Sequence, residues 1–229
     1  MMTSSWLREG RQKKGWTQAQ AAKRLGVSQT YLSLLESGGR PLSRPLARKA
    51  QREFEVPATA LPVTSPSLVK TSPPDELAGA LAALGYPGVT HLKRGRRMNP
   101  AELLLAAVRA SDMEPRLAEA LPWVVWKHSD LNWDWLLAQA RLRDLQNRVG
   151  FVVALAKAVA DRHHDAKAVK ALDRVEATLE PSRLAREDTL ARASMTQAER
   201  RWLRTHRPPS AEHWNLLTGL TPDQLSYAS

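Results

Sequence analysis

Residues 16–40, WTQAQAAKRLGVSQTYLSLLESGGR, read as two short helices joined by a tight turn, and the rest of the chain is organised around them. Thr17 and Gln20 have the spacing of a capping box, so a helix should begin there, with Ala21, Ala22 and Leu25 as its apolar face. Gly26 ends it, because glycine reaches positive φ at little cost, and Val27 is placed to plug the angle between the helices. Ser28 should cap the second helix, in which Tyr31, Leu32 and Leu35 recur at inward-facing spacing. Gln29, Thr30 and Ser33 are left near its exposed N-terminal end.

A helix pair of this kind suits duplex DNA, whose major groove admits one α-helix and meets its first turn with base edges. Gln29 is the foremost candidate reader, since a glutamine amide pairs bidentately with adenine. Thr30 offers a hydroxyl and a methyl group, and Ser28 and Ser33 offer hydroxyls. Gln18 should lie by the DNA backbone, its amide and the nearby N–H groups toward phosphate. Lys14, Arg40 and Arg44 are candidates for further phosphate contacts. The bland alternative, that these side chains only cap and solvate a small helical bundle, leaves the agreement of turn, caps and charge unexplained.

The residues Gly15-Trp16-Thr17-Gln18, Ala21-Ala22, Leu25-Gly26-Val27-Ser28, Tyr31-Leu32-Ser33, Glu36-Ser37-Gly38 and Arg40-Pro41 resemble the Cro/repressor-type (XRE) helix-turn-helix family over about Trp6 to Leu61. The resemblance implies a five-helix domain that binds duplex DNA sequence-specifically, usually as a dimer on a palindrome, with Gln18, Gln29, Thr30 and Ser33 near DNA. One departure is the extra residue in Ser37-Gly38-Gly39-Arg40, where the family more often has a single glycine before the arginine.

Charge agrees with a polyanion partner. The 229 residues carry a net charge of +11. Residues 1–62 hold 11 Lys and Arg against 4 Asp and Glu, a net +7, and residues 63–229 hold 23 against 19, a net +4. Such an asymmetry predicts salt-sensitive binding through counterion release. The absence of cysteine excludes disulfides, thiolate metal sites and a cysteine nucleophile. No apolar run reaches the roughly 18 residues of a membrane helix and no signal-peptide pattern follows Met1, so a soluble cytoplasmic protein is expected.

The expected fold is all-α. Residues 1–62 form the helix-turn-helix domain, with a first helix over Thr3 to Lys14, another over Ser43 to Phe54 closing the core with Leu46, Ala50 and Phe54, and a last turn from Val56-Pro57 to Leu61. Residues 63–75, within PVTSPSLVKTSPPD, are a linker by composition. Residues 76–229 form a larger helical domain for dimerisation or partner binding. It opens with a helix over Glu76 to Leu84 and the turn Gly85-Tyr86-Pro87-Gly88. The basic run Lys93-Arg94-Gly95-Arg96-Arg97, a phosphate or acidic-partner contact or a solvated loop, comes next, and then helices over Pro100 to Arg109 and Pro115 to Leu121.

Trp123, Trp126, Trp133 and Trp135 crowd together, as a packed core does and as a partner-binding hot spot does. From Trp135 through Ala138, Leu142, Leu145, Val149, Val152 and Ala156 to Val159, apolar residues recur in alternating steps of three and four, predicting one long helix that buries a seam, with Gly150 as a possible bend. Ala166 to Leu179 repeats the pattern. The middle stretch, Leu121-Pro122-Trp123 through Leu131-Asn132-Trp133 to Asp144-Leu145-Gln146-Asn147-Arg148, is similar to an all-helical companion domain of regulators of bacterial defence or toxin–antitoxin loci. Thr196 to Glu199 is a second capping box, and Pro208-Pro209 breaks the tail before a helix over Ala211 to Leu217.

Catalysis finds no support. His163-His164-Asp165 has no second ligand pair at metal-binding spacing, and there is no glycine-rich phosphate loop, so neither metal nor cofactor is expected. Two function classes remain: a dimeric transcriptional repressor bound to an operator, or an antitoxin that neutralises a toxin through the helical domain while repressing the shared operon. A small-molecule sensor is third.

Overall fold

The computed structural model describes residues 5–55, 58–61, 63, 74–89, 95 and 97–228. Residues 64–73 of the linker, Val56-Pro57 and most of the basic run at 93–97 lie outside them. The chain divides into two compact units, Met1–Thr64 and Ser65–Ser229.

In the first unit the described residues form α1 (Ser5–Lys13), α2 (Gln18–Leu25), α3 (Gln29–Glu36), α4 (Arg44–Phe54) and a 3₁₀ turn (Ala58–Ala60). The fifth helical segment of the expected domain is thus a single 3₁₀ turn. Trp6, Leu7, Ala21, Ala22, Leu25, Leu32, Leu35, Ala50 and Phe54 make one core, against which Trp16, Val27, Tyr31, Leu42 and Leu46 pack. Trp16 meets Phe54 edge-on at 5.7 Å, and the Arg24 guanidinium lies 4.2 Å over the same indole.

The second unit runs α5 (Pro74–Leu84), α6 (Pro100–Val108), α7 (Pro115–Lys127), α8 (Trp133–Arg141), α9 (Gln146–Arg162), α10 (Ala166–Leu179), α11 (Gln197–His206) and α12 (Pro209–His213), with one parallel pair of two-residue strands, β1 (Asp188–Thr189) and β2 (Leu216–Leu217). All nine residues of α6 are buried, as befits a helix with apolar side chains on every face. α9 is the central helix, packed by α7, α8, α10 and α12, and it buries residues all round its axis.

Three expectations are corrected. The long seam helix is two helices: Asp144 adopts φ +56° and the Leu145 N–H turns back to the Ala140 carbonyl at 2.9 Å, which ends α8 and restarts the chain as α9. Leu142, assigned to the seam, is therefore 74% exposed. Gly150 lies inside α9, where it gives space to a neighbour: a Cβ there would sit 2.5 Å from the fully buried ring of Trp214.

α7 continues through Pro122, whose ring would ordinarily break it. Just past the proline the Tyr227 hydroxyl bridges two backbone groups of the helix, accepting from the Trp123 N–H at 3.1 Å and donating to the Glu119 carbonyl at 2.5 Å. A side chain from the tail thus braces the helix beside its proline. The tail itself departs from the expected helix over Ala211 to Leu217: α12 ends at His213 and Leu216–Leu217 pair with Asp188–Thr189. Arg148 holds that strand, with bonds of 2.7 and 2.9 Å to Asp188 and a third of 2.8 Å to the Val108 carbonyl.

Candidate nucleic-acid interface

The turn between α2 and α3 is built from local chemistry. Thr17 Oγ1 accepts from the Gln20 N–H at 3.2 Å and the Thr17 N–H donates to Gln20 Oε1 at 2.9 Å, closing the capping box. Gly26 ends α2 in the left-handed region at φ +73°. A Cβ there would be strained and would meet Lys49 Nζ at 3.2 Å. Ser28 Oγ then accepts from the Tyr31 N–H at 3.1 Å and starts α3, which leaves the hydroxyl proton as a donor.

At roughly 100° per residue α3 divides into two faces. Leu32, Leu35 and Glu36 are buried and Tyr31 half-buried, while Gln29, Thr30, Ser33 and Leu34 are exposed. The three polar residues expected at the reading end thus share one outward face. Leu34, 40% exposed, belongs to that face although its hydropathy suggested otherwise. A helical projection would have found it, since it falls outside the Tyr31-Leu32-Leu35 stripe.

A buried carboxylate fixes this helix to its neighbours. The Glu36 side chain has no solvent exposure and accepts from Arg11 Nε at 2.7 Å, Arg11 Nη2 at 3.0 Å and Gln18 Nε2 at 3.0 Å. Arg11 Nη1 donates in turn to the Trp16 carbonyl at 3.0 Å, so α1, the start of α2 and the end of α3 meet at one ionic centre. Burial opposes ionisation of Glu36, but the bonds from Arg11 and Gln18 and the charges of Arg11 and Arg8 outweigh it and hold the carboxyl below its usual range.

Two of the expected phosphate ligands have partners within the unit. The Gln18 amide nitrogen turns inward to Glu36, because an uncompensated lone pair on a buried carboxylate costs more than an amide exposed to water. Lys14 pairs with Glu55 at 2.6 Å across the closing helix of the unit. Arg40 is exposed, its backbone N–H bonded to the Leu34 carbonyl at 3.2 Å, and Arg44 is half-buried at the first position of α4.

The tryptophan cluster of the second unit is corrected in part. Trp123 and Trp126 are interior: Trp123 meets Tyr86 edge-on at 5.4 Å, and Trp126 stacks on His163 at 4.3 Å and donates to Asp165 at 3.2 Å. They are closed to a partner because the inward face of α7 carries both. Trp133 and Trp135 are half-buried, and Trp133 Nε1 donates to the Ser129 carbonyl at 3.0 Å. Among the described residues of this unit, the exposed large apolar side chains are Leu142 and Trp202. Asp165 of the His163-His164-Asp165 run caps α10 by accepting from the Ala168 N–H at 3.0 Å.

Among the described residues no helix is long and apolar enough to cross a membrane, and no group of three or more His, Asp or Glu could hold a metal ion. No curated protein and no solved structure matches the chain. Residues 7–61 match the family model for the helix-turn-helix, and with the capped α2–turn–α3 geometry this identifies the first unit as a helix-turn-helix domain of the Cro/repressor (XRE) type, the DNA-binding domain of a transcriptional regulator.

Proposed function

We propose that the chain is a sequence-specific repressor that binds a duplex operator as a homodimer and controls its own gene in the cytoplasm. The observation that carries this reading is the outward face of α3, where Gln29, Thr30 and Ser33 stand together at the start of a helix held by a capped turn and a buried ion pair. Gln29 reads an adenine, Thr30 and Ser33 contact neighbouring bases or phosphates, and Ser28 and Arg40 hold the DNA backbone. Gln18 acts through the N-terminal end of α2, its side-chain nitrogen being bonded to Glu36. The net charge of +7 on residues 1–62 supplies the sequence-independent part of the affinity. A dimer would place two such helices about 34 Å apart, one helical turn of DNA.

The test is a salt titration of binding to the gene's own upstream duplex, with wild type, Gln29→Ala and a scrambled duplex compared. Gln29→Ala should lose selectivity by about 1–3 kcal/mol while keeping its salt slope. A wild-type protein that binds both duplexes equally at every salt concentration would remove the operator reading. A second reading, an antitoxin, draws on Leu142 and Trp202, exposed at 74% and 57% on the second unit. It requires that co-expression of this chain relieve the toxicity of a neighbouring gene's product, and that Leu142→Ser or Trp202→Ala weaken the relief.

A further inference from the structure

The outward face of α3 carries two parallel ridges. Gln29 and Ser33, one turn apart, form a polar ridge, and Thr30 and Leu34, also one turn apart, form a second ridge that presents methyl groups. Leu34 is the one residue of this face whose side chain can neither donate nor accept a hydrogen bond. It is 40% exposed, while Leu32 and Leu35 of the same helix are at 0% and 2%.

Leu34 is also held in place. Its carbonyl accepts from Ser37 Oγ at 3.2 Å and from the Arg40 N–H at 3.2 Å, so residues 37–40 fold back beneath it. Gly39, the extra residue of this loop, lies against the leucine: a Cβ there would be 3.3 Å from Leu34 Cδ2. The loop thus supports the side chain from below and leaves its outer side uncovered.

We infer that Leu34 is a specificity-determining residue whose target is the C5 methyl group of a thymine in the major groove. Thymine is the base that shows an apolar group on that edge, and apolar side chains read it by contact. Leu34 lies about 7.5 Å along the helix axis from Gln29, so the two side chains meet different base pairs of one half-site. The inference rests on α3 being the reading helix, as proposed above.

The experiment separates the two readings. The full chain is used to select duplexes from a random-sequence library, and in the selected duplex each thymine is replaced in turn by deoxyuridine, which removes the methyl group alone. Wild type should lose about fourfold in affinity at one thymine per half-site, the value of one buried methyl. Leu34→Ala should bind thymine and deoxyuridine there equally while still discriminating at the adenine facing Gln29. Thr30→Ser should keep the fourfold effect at the Leu34 thymine, which separates the two methyl-bearing residues. Equal binding of every uracil-substituted duplex by wild type, or full discrimination retained by Leu34→Ala, overturns the inference while the reading helix stands. A library that yields no enriched sequence overturns both.

Discussion

Removing Glu36 should destabilise the first unit and leave the second unchanged. Glu36→Ala deletes a carboxylate with no solvent exposure and strands the Arg11 guanidinium, itself only 12% exposed. Breaking a buried pair by removing one partner costs about 3–5 kcal/mol. Arg11 retains its bond to the Trp16 carbonyl and some access to water, which places the cost near the lower end, at about 3 kcal/mol. A unit of this size has roughly 3–9 kcal/mol of total stability, at 0.05–0.15 kcal/mol per residue, so the loss is a large fraction of the whole. Native-state amide exchange on the intact chain reads each unit separately. Protection at Leu32 should fall about 150-fold, and protection at Phe151 should not change.

Two controls sharpen the reasoning. Arg11→Met with Glu36→Leu removes both charges and should recover most of the loss, because paired burial of ions against isosteric apolar groups is close to neutral. If the double variant is as damaged as Glu36→Ala, packing volume and not a stranded charge is responsible. A fall at Leu32 of less than about 0.5 kcal/mol in Glu36→Ala would refute the ionic centre altogether. The acid limb follows from the direction of the shift. The folded carboxyl titrates below the unfolded one, so its stabilisation is fully present above about pH 4.3 and is lost as pH falls through the folded value. Glu36→Gln should lack that limb.

Further outcomes are expected in both units. Tyr227→Phe leaves the Trp123 N–H and the Glu119 carbonyl without their bridge, and should cost about 1–3 kcal/mol with faster exchange of the Trp123 amide. Gly150→Ala drives a Cβ to 2.5 Å from the Trp214 ring and should lower the thermal transition of the second unit, at a cost of about 1–3 kcal/mol. Thr17→Ala removes the capping box of α2 and should cost the first unit about 1 kcal/mol in urea unfolding, with the second unit unchanged.

The α2–turn–α3 unit was legible because its signals are local. A capping box spans four residues, and a left-handed glycine needs no partner from elsewhere. The features that escaped depend on distant residues. Glu36 occupies an inward position of α3 one turn after Leu32, but the arginine that makes its burial tolerable lies 25 residues earlier. Pro122 signalled a break, yet α7 continues past it, and Tyr227, 104 residues beyond Trp123, bonds the backbone beside the proline. The seam from Trp135 to Val159 kept its periodicity across a real boundary, since nothing in Arg141-Leu142-Arg143-Asp144 announces that Asp144 will adopt φ +56°. Two-residue strands carry no periodicity at all.

The same contrast explains why a charged centre sits where an apolar contact would have served stability as well. A reading helix must hold its side chains to a fraction of an ångström and a few degrees. Apolar packing alone tolerates small slides of one helix over another, because dispersion has no direction. The bidentate pair of Arg11 and Glu36 does not: two bonds of 2.7 and 3.0 Å fix both distance and rotation at the C-terminal end of α3. Gln18, bonded to the same carboxylate, ties the first residue of α2 to that frame, while Ser28 fixes the opposite end of α3. The helix is therefore clamped at both ends by directional bonds. Its outward face, which carries Thr30, Ser33 and Leu34, makes no core contact, and this is why residues with no role in the core can occupy it. Sequence variation on that face should leave folding unchanged and alter DNA selectivity, whereas variation at Arg11, Gln18 or Glu36 should impair folding and selectivity together.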